Sequence, residues 1–175
     1  MPTITRRTLA PGDTYIHTGP DDALSLPVLR DLEHEYDSRY GNLFGEPAST
    51  EINRYPAATF SAPDGTFLLL VRNGRAIAAG AFMKLDDATV EFKRMWTHPD
   101  FRGQGLAHLV LDELEAEARR RGATRVALST GPRQPEAVAL YRKAGYTALF
   151  DESLPPEVVV IHHFEKSLTT ESRSS

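Results

Sequence analysis

One stretch of the sequence, from Met95 to Ala107, constrains the fold more than any other. It joins a run of strand-like alternation to an apolar stripe with helical spacing. Gly103 and Gly105 allow the backbone between them to bend, so that successive amide groups converge, and the helix that follows adds about half a positive charge at its N-terminus. The pattern predicts an anion cradle between a strand and a helix, with Arg102 beside it to hold a second phosphate oxygen.

Two better-known phosphate motifs do not fit this stretch. A P-loop ends in Gly-Lys-Ser/Thr, which the sequence lacks. A dinucleotide fingerprint needs a third glycine where His108 stands, and an acidic residue close to the position of Arg125. What remains is Arg-x-x-Gly-x-Ala after a strand. A glycine-rich turn that enters a helix and binds nothing stays open as the alternative.

Periodicity and turn residues assign the remaining elements and predict an α+β or mixed-sheet domain. The Asn73-Gly74 dipeptide between two apolar runs predicts a hairpin, so the middle strands should form an antiparallel meander. A first helix begins near Asp21, has Pro27 in its first turn and ends at Gly41. The predicted strands are 3–9, 66–71, 75–85, 89–97, 125–130, 146–150 and 158–164, and the other helices are 105–121, 135–144 and a short one near 50–55 within a loop over 42–63.

Length and composition limit the class of protein. The chain has 175 residues, which corresponds to about one domain. We expect that domain over residues 1–166, followed by a disordered polar tail at 167–175. The absence of Cys excludes disulfide scaffolds and Cys-ligated zinc, and a net charge of -4 argues against nucleic-acid binding. No apolar run is long enough to span a membrane and no secretory signal is visible, so we expect a cytoplasmic protein.

Residues 95–107 resemble the acetyl-CoA signature of the GNAT superfamily of N-acetyltransferases. A second landmark follows downstream, because Ala137, Leu140 and Tyr141 before Gly145 are similar to that family's Ala-x-x-Leu-Tyr helix. The resemblance covers residues 66–146 well. It implies an α/β (α+β) fold with a mixed, mostly antiparallel central sheet of about six or seven strands, about four flanking helices, and two central parallel strands that splay apart.

The resemblance also implies that acetyl-CoA is the donor cosubstrate, bound between the splayed strands and over the glycine loop. For Trp96, a purely packed aromatic is the alternative interpretation. Gln134 stands near the position where many relatives carry an Asn that holds the donor's pantetheine arm. The donor-binding residues implied are Met95, Trp96, Thr97, Arg102, Gly103, Gln104, Gly105, Leu106, Ala107 and Gln134.

For catalysis, the resemblance implies Glu91 as the general base, acting directly or through water, and Tyr141 as the general acid that protonates the departing thiolate. Alternatives stay open for both residues. Glu91 can pair with Lys93 or Arg94 on the sheet surface, and Tyr141 lies on an apolar stripe typical of a core residue. Unless a bulge intervenes, alternation places Glu91, Lys93 and Met95 on one strand face and Phe92, Arg94 and Trp96 on the other.

The acceptor is expected to be an amine of a small molecule or a peptide. In the family, the first helices wall the acceptor pocket, which implies contacts from Glu35, Tyr36, Arg39 and Tyr40. A homodimer is possible, and no metal is expected, since the adjacent imidazoles of His162 and His163 should face opposite ways on a strand. A non-catalytic acyl-CoA sensor or regulatory module of the same fold is the alternative function, and a stabilising subunit that binds nothing is a third.

Overall fold

A seven-stranded mixed sheet runs through the computed structural model, which describes residues 8–169. The strand order is β1-β2-β3-β4-β5-β7-β6, and every neighbouring pair is antiparallel except the parallel pair of β4 and β5. The strands are β1 (Thr14–Thr18), β2 (Thr66–Arg72), β3 (Arg75–Lys84), β4 (Thr89–Thr97), β5 (Arg125–Thr130), β6 (Thr147–Ala148) and β7 (His162–Ser167). The helices are α1 (Leu26–Tyr40), α2 (Ala48–Ile52), α3 (Leu106–Arg120) and α4 (Pro135–Lys143). The predicted fold class is confirmed.

Helices cover both faces of the sheet, so the central strands are apolar on both sides. In β2, Leu68 and Leu70 belong to the core beneath α3 and α4, whereas Phe67 and Leu69 belong to a second core beneath α1. All four side chains are fully buried. This double burial explains why β2 reads as a continuous apolar run.

The two chain ends differ from their predicted structure. Residues 3–7 of the predicted first strand lie outside the described residues, and residues 8–10 form no strand. The first described strand is Thr14–Thr18, which the sequence analysis missed because this edge strand is short and only half buried. At the other end, Ser167 closes β7, and the Leu168 amide donates to the Thr124 carbonyl at 2.8 Å. These two residues therefore belong to the fold, and residues 170–175 lie outside the described part.

The first helix begins at Leu26 rather than near Asp21, and the segment before β7 differs as well. Residues 158–161 were predicted as strand because of their apolar side chains, but they form the end of a short 3-10 turn (Pro156–Val158) and a bend. Strand β5 ends at Thr130, so residues 158–161 extend past the end of their partner strand and have no ladder to join. Pairing resumes only at His162, opposite Thr130.

A bulge in β4 separates the two parallel strands. Ala79 pairs with Trp96 and Ala81 pairs with Lys93, so β4 carries one residue more than β3 at this point. Arg94 takes up the extra length with φ 61°, a conformation that side chains other than glycine rarely adopt. The β4–β5 ladder runs from Thr89 only as far as Phe92, and the two strands then splay apart. The splay that the family resemblance implied is confirmed.

The bulge also changes which side chains share a face. Beyond Arg94 the alternation is shifted by one, so Met95 packs with Phe92 on the α3 side, while Arg94 and Trp96 face α1. The simple alternation prediction is therefore wrong from Arg94 onwards, and the bulge that it had left open is the physical reason.

Gly80 provides a test of the packing at this bulge. A Cβ atom at Gly80 would lie 2.6 Å from Met95 Sδ, 2.8 Å from Leu114 Cδ1 and 2.9 Å from Val110 Cγ1. We expect Gly80→Ala to lower the free energy of unfolding by about 1–3 kcal/mol through overpacking, measured by urea denaturation. Val110→Ala should lower the free energy of unfolding by less in the Gly80→Ala background than in the wild type, because the new methyl group fills the space that Val110 leaves. Strictly additive losses in the double variant would show that overpacking against Val110 is not the cause.

Candidate functional site

The glycine loop has the backbone geometry of an anion cradle. After a short 3-10 turn (Pro99–Phe101), Gly103 has φ 79° and Gly105 has φ 75°, and α3 begins at Leu106. Both glycines are required because their positive φ angles would strain any side chain with a Cβ. A Cβ at Gly103 would meet nothing within 4 Å, so the space beside the loop is open.

The amide groups of this loop have no acceptor within the described part of the chain. Across residues 8–169, the amides of residues 102–107 donate to no main-chain carbonyl, and α3 has no side chain as its N-terminal cap. Unsatisfied donors at a helix N-terminus, together with the helix dipole, favour an anion at that point. The residues present therefore fit a diphosphate.

The side chains beside the loop occupy different positions. Arg102 is 52% exposed, and its guanidinium lies 3.8 Å from the Glu35 carboxylate. Gln104 accepts a long hydrogen bond of 3.4 Å from Arg72, and the Arg72 guanidinium also binds Asp13. Leu106 is buried in the core, so it can offer a ligand only its main chain. Ala107, in the first turn of α3, is partly exposed.

A cavity of about 350 Å³ opens where β4 and β5 diverge. Helix α1, helix α2 and the segment between them form one wall, and the ends of the two strands form the other. The lining residues used below are Tyr36, Asp37, Tyr40, Phe44, Glu46, Glu51, Arg54, Phe92, Lys93, Arg94, Ser129, Thr130, Gly131, Gln134 and Ile161.

Buried Arg94 forms the charged floor of this cavity. Its guanidinium donates to the Glu51 carboxylate at 3.2 Å and to the Glu51 main-chain oxygen at 2.8 Å, and it lies over the ring of Phe60. Burial alone would raise the pKa of Glu51, but the hydrogen bond from Arg54 and the charge of Arg94 outweigh it and leave that pKa lowered. Glu51 is therefore ionised at neutral pH.

Gln134 joins the opposite sides of the cavity. Its side-chain oxygen accepts hydrogen bonds from the Tyr40 hydroxyl at 2.7 Å, the Thr130 hydroxyl at 3.1 Å and the Gly131 amide at 3.4 Å. Gly131 is glycine because a Cβ there would lie 2.3 Å from the Tyr40 hydroxyl. Burial raises the pKa of Tyr40 to about 12, so the hydroxyl stays protonated and keeps donating.

The four predicted acceptor contacts divide into two groups. Tyr36 and Tyr40 line the cavity, and burial raises the pKa of Tyr36 as well. Glu35 and Arg39 do not line it. Arg39 instead binds Glu35 at 3.1 Å, Glu136 on α4 and the Arg133 carbonyl at 2.8 Å, which holds α1 against the loop before α4.

The structure does not bring Glu91 into the cavity lining. Its carboxylate lies 3.2 Å from the ammonium of Lys93, whose side chain does line the cavity. The pairing with Lys93 that the sequence analysis kept open is therefore present. The role of Glu91 as a base stays a prediction.

Tyr141 is the buried residue of α4 and packs into the core. Its ring packs on Tyr146 and Phe164, each at 5.7 Å between centroids. Burial raises the pKa of the Tyr141 hydroxyl, and the neighbouring Tyr36 of the cavity wall adds to this effect. The hydroxyl is thus protonated at neutral pH, and Tyr141 does not line the cavity.

Three residues of β4 were predicted to contact the donor, and the side chain of one of them, Trp96, packs in the core instead. Its indole nitrogen donates to Asp31 at 2.6 Å, and the ring is buried beneath α1. Met95 packs partly into the opposite core, and Thr97 pairs with Ala78 of β3. No ladder pair joins residues 93–97 to β5, so their main-chain groups on that side face the gap.

The charged residues of the cavity wall were missed by the sequence analysis. Glu46, Glu51 and Arg54 come from the region between α1 and β2, where periodicity is weak and no motif marks them. Lys93 and Arg94 were considered only as surface partners of Glu91. A non-glycine residue at positive φ cannot be recognised from its identity, so no sequence signal pointed to Arg94.

One group among the described residues has metal-ligand spacing. His17 Nε2 lies 3.1 Å from Glu113 and 3.6 Å from Glu117, on β1 and α3. Arg120 already binds both carboxylates, at 2.7 and 2.5 Å. These contacts favour an ion-pair network over a metal centre. The expectation of no metal stays a prediction, and no described helix is long and apolar enough to cross a membrane.

Comparison with known proteins agrees with this geometry. The model of the acetyltransferase (GNAT) family matches residues 29–146. The chain is 34% identical to an IAA acetyltransferase of Azospirillum brasilense over 116 residues, which are 66% of this chain and 74% of that protein.

Solved structures show the same fold. A Klebsiella pneumoniae protein assigned as an acyl-CoA N-acyltransferase is 26% identical, with a TM-score of 0.69 over 90% of this chain and 98% of that one. A GNAT family acetyltransferase from Elizabethkingia anophelis, solved with acetyl-CoA bound, has a TM-score of 0.62 at 15% identity and covers 90% of this chain and 99% of that one. At that identity the likeness concerns the fold alone. From the family match and the curated relative, this chain belongs to the GNAT family of acetyltransferases, enzymes that transfer an acetyl group from acetyl-CoA.

Proposed function

We propose that this chain is an N-acetyltransferase that transfers an acetyl group from acetyl-CoA to an amine of a small molecule or peptide by direct attack. The observation that carries the proposal is the gap between β4 and β5. It opens after Phe92, adjoins the cavity, and follows β4 towards the glycine loop with its free amides. A thiol-release assay with acetyl-CoA over a panel of amines, with hydrolysis blanks, tests it.

For donor binding, we assign the diphosphate to the amides of residues 102–107, with Arg102 turning from Glu35 towards the phosphates. The 3.8 Å pair with Glu35 is half exposed and therefore weak, so it does not hold Arg102 in place. The pantetheine arm would lie against the free main chain of residues 93–97, with Gln134 beside it. A main-chain amide near Met95 or Trp96 would donate to the thioester oxygen, a contact worth about 3 kcal/mol in other acyl transferases.

The amine has to lose a proton before it attacks. With an amine pKa near 10.4, deprotonation at pH 7 costs roughly 4.6 kcal/mol, so a base increases the rate. We assign this role to Glu91 acting through water, because its carboxylate lies behind Lys93 and outside the cavity lining.

Tyr141 is assigned as the group that stabilises the departing thiolate. An ordinary tyrosine has a pKa near 10 and a thiol about 8.5, so full proton transfer is uphill by roughly 2 kcal/mol. Burial raises the pKa of Tyr141 and makes that transfer more unfavourable. The tyrosine therefore acts as a hydrogen-bond donor to the sulfur. The absence of Cys disfavours a thioester on the enzyme and leaves only an ester on Ser as a covalent route.

Gly105→Glu should abolish donor binding. The carboxylate would stand in the cradle, where two like charges about 4 Å apart repel by several kcal/mol, so calorimetry should show affinity for acetyl-CoA reduced by about 100-fold or more. Gly105→Ala is the matched control, because it carries the same positive-φ strain without the charge. Equal losses in the two variants would assign the effect to backbone strain and argue against the cradle.

Tyr141→Phe should lower kcat by about 100-fold while the affinity for acetyl-CoA stays the same. The ring packing on Tyr146 and Phe164 is kept in this variant, so its thermal stability should stay close to that of the wild type. Unchanged turnover would remove Tyr141 from the mechanism.

Glu91→Gln should lower kcat by about 100-fold near neutral pH, and the loss should shrink as rising pH deprotonates the amine without help. Lys93→Met is the control, since it breaks the same ion pair but keeps the carboxylate. Rate measurements from pH 6 to 10 compare the two variants. If the rate of Glu91→Gln changed with pH in parallel with that of the wild type, Glu91 would be only a structural partner of Lys93.

A further inference from the structure

The size of the cavity bears on what the acceptor can be. At about 350 Å³ it lies at the small end of the range for ligand pockets, roughly 300–1,000 Å³. It has one wall of helix and loop and one of diverging strands. A cavity of this size accommodates a small molecule or a single side chain.

Most of the charged groups in the cavity neutralise one another. Glu51 binds Arg94 at 3.2 Å and Arg54 at 2.8 Å, and Arg54 also binds Glu46. Arg94 is only 4% exposed. A cationic ligand that displaced Arg94 from Glu51 would therefore leave the buried guanidinium without its partner. Glu51 and Glu46 are therefore unsuited to bind a further cation.

The remaining two charges are also accounted for. Lys93 lies 3.2 Å from Glu91 and 5.4 Å from the centre of the Tyr55 ring. Asp37 has no basic partner among residues 8–169, but it is exposed at the cavity mouth and accepts the Ala48 amide at 3.2 Å. Water screens a charge in that position. The cavity thus offers at most one weak site for a cation.

The uncharged part of the lining combines aromatic and aliphatic groups with the polar side chains of Ser129, Thr130 and Gln134. The rings of Tyr36 and Tyr40 line the cavity, and the Phe44 ring stands 5.0 Å from the Tyr40 ring at the mouth. Phe44 is 42% exposed and Ile161 is 49% exposed, although both are large apolar side chains. A ligand with an apolar body would cover them and remove their surface from water.

We propose that the acceptor is a small monoamine with an aromatic body, of the arylalkylamine class, whose ring lies among Tyr36, Tyr40 and Phe44. This inference rests on the proposed function and specifies its substrate class. A polyamine would lack free carboxylates for its further charges, and the carboxylate of a free amino acid would find the cavity's cations already paired.

The test measures thiol release from acetyl-CoA with phenethylamine, butylamine, spermidine and lysine as acceptors. We expect kcat/KM for phenethylamine to exceed that for butylamine by about 10-fold or more, since the ring adds several apolar carbon groups to the pocket contact. Spermidine and lysine should rank below both. A preference for either of these polar amines would overturn the acceptor class while leaving amine acetylation intact.

Two neighbouring variants localise the effect. Phe44→Ala should raise KM for phenethylamine by about 10-fold with little change in kcat, and should change KM for butylamine much less. Leu43→Ala is the matched control, because Leu43 is 38% exposed and does not line the cavity. Equal effects of the two variants would overturn the position of the ring. If a protein that binds acetyl-CoA released no thiol above the hydrolysis blank with any of the four amines, the proposed function itself would be overturned.

Discussion

The site depends on the bulge at Arg94. A non-glycine residue with φ 61° costs on the order of 1–3 kcal/mol, so neighbouring contacts have to hold it. The two hydrogen bonds from the buried guanidinium to Glu51 supply them. Because of the bulge, the β4–β5 ladder ends at Phe92, and the gap and the cavity both begin there. Without it, two fully paired parallel strands would leave no room for a ligand.

The same contacts join the parts of the enzyme that have to act together. Arg94 connects the strand that borders the gap to α2, which forms a cavity wall, and Gln134 connects the other strand to α1 through Tyr40. Removing a partner from either group would leave a buried polar atom unsatisfied, which is costly. The two sides of the cavity are therefore positioned by hydrogen bonds as well as by packing, and a change in one wall affects the geometry of the other.

Local signals predicted the backbone of the glycine loop and the helix that follows it well. Gly103 and Gly105 have the positive φ angles expected of a cradle, and α3 begins and ends close to its predicted bounds. By contrast, β1 was missed because a five-residue edge strand carries little periodicity. The apolar run 158–161 was assigned to a strand, but it extends past the end of β5, its partner strand. On the acceptor side, Tyr36 and Tyr40 line the cavity, whereas Glu35 and Arg39 form ion pairs outside it.

This contrast has a physical basis. A glycine loop that enters a helix is specified by neighbours within a few residues, since positive φ angles and free amides are local properties. The sequence alone therefore predicted the mixed fold, the family resemblance and the backbone geometry of the glycine loop. The acceptor cavity is assembled from α1, α2, two strand ends and Ile161, which are far apart in the chain. Its charges are set by pairs such as Arg94 with Glu51, 43 residues apart. Which carboxylates remain free to meet a substrate depends on those distant contacts, and they exist only once the chain has folded.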